Sequence, residues 1–70
     1  MGEVNEFLKK LNNEDMVSLG LLEEDMEIYT LKQVKREIKR IGVNEIVDTY
    51  WEQLIFESKD GGLYELALMW

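Results

Sequence analysis

Two serines, Ser18 and Ser58, are the obvious candidate nucleophiles in this chain, and nothing in the sequence can activate either. It has no His and no Cys, whereas a serine or cysteine nucleophile depends on a neighbouring base, normally His. Paired carboxylates could do general acid/base work among the 15 acidic residues. That requires a pocket able to shift one pKa, and a chain of 70 residues rarely encloses one. The run Glu23-Glu24-Asp25-Met26-Glu27 lacks the alternating Asp or Asn positions, the central Gly and the distal Glu of a calcium loop. The expectation is therefore a protein that is not an enzyme, with no catalytic residue, no metal and no cofactor.

Charge and aromatic residues point instead to binding. Lys32, Lys35, Arg36, Lys39 and Arg40 fall within nine residues, spaced to share one face of a helix opposite Leu31, Val34, Ile38 and Ile41. Such a stripe either contacts phosphates or forms a solvated face paired with acids such as Glu23, Glu24, Asp25 and Glu27. Glu45, Asp48 and Glu52 follow at steps of three and four, which on a helix makes an acidic ridge beside Tyr50 and Trp51. Rows of carboxylates can imitate a nucleic-acid backbone and steer a basic partner, and Trp and Tyr are frequent interface anchors. Tyr50, Trp51 and Trp70 are thus either anchors or core. The same acids argue against DNA reading by this segment, because a recognition helix offers Arg, Lys, Asn or Gln to base edges.

The elements that must position these groups follow from periodicity. Val4, Phe7, Leu8 and Leu11 predict a helix near 3–11. Residues 14–29 read as a short helix and a loop, closing on a strand at 26–29. Thr30 and Gln33 form a capping-box signature, and Gly42 stops the helix that it opens at 31–41. Ile46, Val47, Tyr50, Trp51, Leu54 and Ile55 repeat in adjacent pairs every four residues, which predicts a helix over 45–57 capped by Asn44. The connection through Gly42 would fold these two helices into an α-hairpin. Lys59-Asp60-Gly61-Gly62 is a turn, and residues 63–70 fit either a helix with Leu63, Leu66, Ala67 and Trp70 on one face or, as the Gly-rich turn favours, a strand able to pair with 26–29. The expected fold is mainly α, or a small α+β variant, as a compact helical domain over residues 1–70.

At 8.3 kDa there is no room for a second core, and with neither Cys nor His the chain has no disulfide or ordinary zinc site to reinforce the first. Partner burial or homo-oligomerisation is the remaining source of added stability. The acidic residues near the start, Glu3 and Glu6, fit no signal peptide, and no apolar run approaches membrane-spanning length. A cytoplasmic protein without membrane contact is expected.

The net charge of −7 hides a division, because residues 32–40 carry five bases and one acid (+4), leaving −11 on the rest. These features favour a small acidic protein that binds another protein with a basic surface. The specific form is an inhibitor or antagonist of a nucleic-acid-handling protein, such as a DNA mimic, of the phage, mobile-element or antitoxin-like type. The alternatives are a nucleic-acid-binding module using the Lys32–Arg40 face and a homo-oligomeric structural or accessory subunit.

Overall fold

A computed structural model describes residues 2–69. Its order is α1 (Gly2–Leu8), β1 (Met16–Leu21), β2 (Glu27–Thr30), α2 (Leu31–Ile41), β3 (Val43–Thr49), β4 (Gln53–Ser58) and β5 (Leu63–Leu68). The strands form one antiparallel sheet in the order β2-β1-β5-β4-β3. Both edge strands flank α2 in the chain, so the helix crosses the sheet from one edge to the other.

Cross-strand partners share a face. Val17 lies opposite Leu68, Leu19 opposite Leu66, and Leu66 opposite Leu54, with Phe56 opposite Tyr64. This face packs on Val4, Phe7 and Leu8 of α1 and on Leu31, Val34 and Ile38 of α2. The Phe56 and Tyr64 rings stack with centroids 5.5 Å apart. Ser18, Ala67, Gln53, Ile55, Glu57 and Glu65 occupy the alternate positions, so they point to the other face. Among the described residues no helix covers that outer face.

The fold is mostly antiparallel sheet with two short helices, which corrects the mainly α expectation and the reading as a small helical domain. The segment 45–57 is a β3–β4 hairpin in place of the second half of an α-hairpin. Its four-residue repeat arises by coincidence: Ile46, Leu54 and Phe56 turn inward while Val47, Tyr50 and Trp51 are exposed. Two register shifts, between Val43 and Glu45 and between Ile46 and Asp48, break the alternation that would have marked β3 as a strand. The turn Tyr50-Trp51-Glu52-Gln53, closed by the Tyr50 N–H donating to the Gln53 carbonyl at 2.7 Å, contains no Gly, Pro or Asn.

In place of the short helix read within residues 14–29 stands β1, where Val17 and Leu19 turn inward and Ser18 outward. Gly20 is required there, because a Cβ would come within 2.8 Å of the Asp25 carbonyl as the following loop folds back. The C-terminal strand, β5, pairs with β1 and β4, and β2 lies beyond β1. Trp70 falls outside the described residues. Among those residues, no helix is long and apolar enough to cross a membrane.

Candidate functional site

The five strands carry Glu27, Glu45, Asp48, Glu57 and Glu65 and no Lys or Arg. The strand register puts Glu45 directly opposite Glu57, and Asp48 opposite Ile55, which in turn faces Glu65. These four carboxylates therefore lie on the outer face, over three neighbouring strands. Like charges directly opposite each other across a strand pair cost stability. Two amides soften that cost: Asn44 Nδ2 donates to Glu57 Oε1 at 2.7 Å, and Gln53 Nε2 donates to Glu65 Oε2.

At the β3–β4 end of this face stands the turn with Tyr50, Trp51 and Glu52. Tyr50 is 56% exposed and Trp51 68%, beside Val47 at 47%. Neither aromatic belongs to the core. The Trp51 ring is held from one side, where Lys10 Nζ lies 4.1 Å from its centroid and 4.4 Å from that of Phe7 while donating to the Trp51 carbonyl. This clamp fixes the turn against α1 and leaves the rest of the indole free. Removing a large, fixed aromatic surface from water is a main contribution to protein association.

The sequence-predicted acids divide. Glu45, Asp48 and Glu52 gather at the β3–β4 hairpin, the first two on a strand and the third in its turn, so they form no helical ridge. Glu23, Glu24 and Asp25 sit in the β1–β2 loop, and Glu27 on β2, at the opposite edge of the sheet. Among the described residues no three carboxylates converge as a cation site would require. Glu57 and Glu65 join the first group, although sequence reasoning passed over them. Their signal is the alternation Leu54, Phe56, Ser58 against Ile55, Glu57 and of Tyr64, Leu66, Leu68 against Glu65.

Lys32, Lys35, Arg36, Lys39 and Arg40 are all exposed on α2, on the other side of the molecule. Arg40 is engaged by Glu37 within the helix, with Nη2 2.6 Å from Oε1, and this bond raises the guanidinium pKa. The two serines are engaged in local structure. Ser18 Oγ donates to the Ala67 carbonyl at 3.4 Å, and Ser58 Oγ donates to Asp60 Oδ1. Compared with protein-family models, with curated proteins and with solved structures, the chain finds no match.

Proposed function

We propose that this protein acts by binding another protein through the β3–β4 end of its uncovered sheet face, with Glu45, Asp48, Glu52, Glu57 and Glu65 meeting a basic surface and Tyr50 and Trp51 anchoring it. The observation that carries this reading is the gathering of four carboxylates, without a base, on the one sheet face that no helix covers. Such an arrangement works against folding and is compensated when an external cation faces it. Exposed aromatics beside it supply the apolar burial that charge alone does not. In its most specific form, the partner is a nucleic-acid-handling protein whose basic groove the acidic face occupies, so that the chain acts as its antagonist.

The test is affinity capture from nuclease-treated lysate with the wild type, Trp51→Ala, and Glu45→Lys with Asp48→Lys. The wild type should retain a basic protein, each variant should lose it, and the retained protein should be displaced from its nucleic acid by the wild type. Trp51 and both acids are exposed, so these changes should leave the unfolding temperature within a few degrees of wild type, as for surface substitutions of about 0.5 kcal/mol. A partner held equally by all three proteins overturns the assignment of this face. Failure to displace nucleic acid overturns the antagonist form alone.

A further inference from the structure

Five of the eight basic side chains line one groove between α1 and α2, and among the described residues no carboxylate lines it. At its widest the groove encloses about 510 Å³ between Val4 and Leu8 of α1 and Ile38 of α2, with Lys35, Lys39 and Lys59 around it. It continues along Leu8 and Lys35 to Leu11 and Leu31, where Lys9 joins, and ends at Asn13, Thr30 and Lys32. Among the described residues only Lys9 of these five lysines has a carboxylate partner, Glu6 at 3.2 Å. Positive charge gathered this way in a protein of net charge −7 focuses a local field suited to anions.

The end near Gly42 is built with care. Gly42 has φ +80, and a Cβ on it would lie 2.7 Å from Lys59 Cδ. The lysine stem therefore crosses Gly42 and holds its ammonium at that end of the groove. A long groove with an apolar floor and lysines along it matches a chain whose anionic and apolar groups alternate.

Four observations separate the possible anions. Among the described residues the groove includes no aromatic side chain on which a base could stack. Both arginines, the side chains best shaped for bidentate phosphate contact, lie outside it. The floor of Val4, Leu8, Leu11, Leu31 and Ile38 suits aliphatic side chains, and the −12 that remains when the five groove lysines are set apart from the net −7 repels a long polyanion more than a short segment. We infer that the groove between α1 and α2 binds an acidic segment of a partner protein in which carboxylates alternate with apolar side chains. This surface is separate from the acidic sheet face and does not depend on it.

The experiment measures fluorescence anisotropy of a short dye-labelled peptide of alternating Glu and Leu, with an RNA oligonucleotide of equal charge for comparison. The peptide should bind at low ionic strength, weaken as salt rises, and lose about tenfold or more in affinity with Lys35→Glu and Lys39→Glu together, as for loss of close charge pairs. Lys35→Gln with Lys39→Gln keeps the reading testable if the double reversal perturbs the fold, and should weaken binding to an intermediate extent. Trp51→Ala should leave it unchanged. No peptide binding at low salt, or binding that both double variants retain, overturns the proposal. RNA binding equal to or tighter than the peptide's assigns the groove to nucleic acid. Self-association lost with the same lysines assigns it to a second copy. Either result overturns the partner segment.

Discussion

Gly42 and Asp60 show how single residues hold the turns that place the charged surfaces. At φ +80, Gly42 ends α2, its N–H donating to the Ile38 carbonyl at 2.8 Å while its carbonyl accepts from the Lys59 N–H at 3.2 Å. Gly42→Ala forces a side chain into the left-handed region and against the Lys59 stem, so it should cost at least about 1 kcal/mol, read by urea unfolding. Asp60 accepts from the Ser58 hydroxyl and, at 3.2 Å, from the Gly62 N–H, bonds that hold its carboxyl below the ordinary 3.8. A lowered folded value means that its stabilisation is fully present above the ordinary carboxylate range and is lost as pH falls through the lowered value. Asp60→Asn should therefore destabilise the protein at neutral pH and flatten the acid limb of its stability curve. An acid limb identical to the wild type's would show that this network does not stabilise the turn.

At the scale of elements, legibility followed from how local the signals are. The 31–41 helix could be read because its start, its stripe and its stop lie within thirteen residues. Thr30 Oγ1 accepts from the Gln33 N–H at 3.2 Å, and the Gln33 side chain accepts from the Thr30 N–H at 3.0 Å, closing the capping box. Thr30→Ala should remove about 1 kcal/mol and lower the melting temperature by roughly 5 °C for a chain of this size, checked by calorimetry. Unchanged melting would show that tertiary packing alone holds α2. The β3–β4 hairpin was not legible, because its bulges cancel the period of two and its turn lacks the usual turn residues. Its β-branched and aromatic content was the better guide. Of the candidate site, Glu45, Asp48, Tyr50, Trp51 and Glu52 could be singled out from the sequence. Their meeting with Glu57 and Glu65 required strand register, which is set by pairing between distant segments.

For the molecule as a whole, the division of charge becomes a division of faces. The sheet turns Glu45, Asp48, Glu57 and Glu65 to one side, while Lys32, Lys35 and Lys39 stand on α2 on the other. Neither edge invites further strands, since β2 has only four residues and β3 is interrupted twice by bulges. Growth of the sheet by edge-to-edge pairing is thus disfavoured. The central claim is that the acidic face and its aromatic turn hold a basic protein, and quantitative capture with face-specific charge reversal tests it most directly. Glu45→Lys with Asp48→Lys should abolish retention of that protein, while Lys35→Glu with Lys39→Glu leaves it intact. Equal retention by both variants, or loss only when the lysines are reversed, would contradict the account.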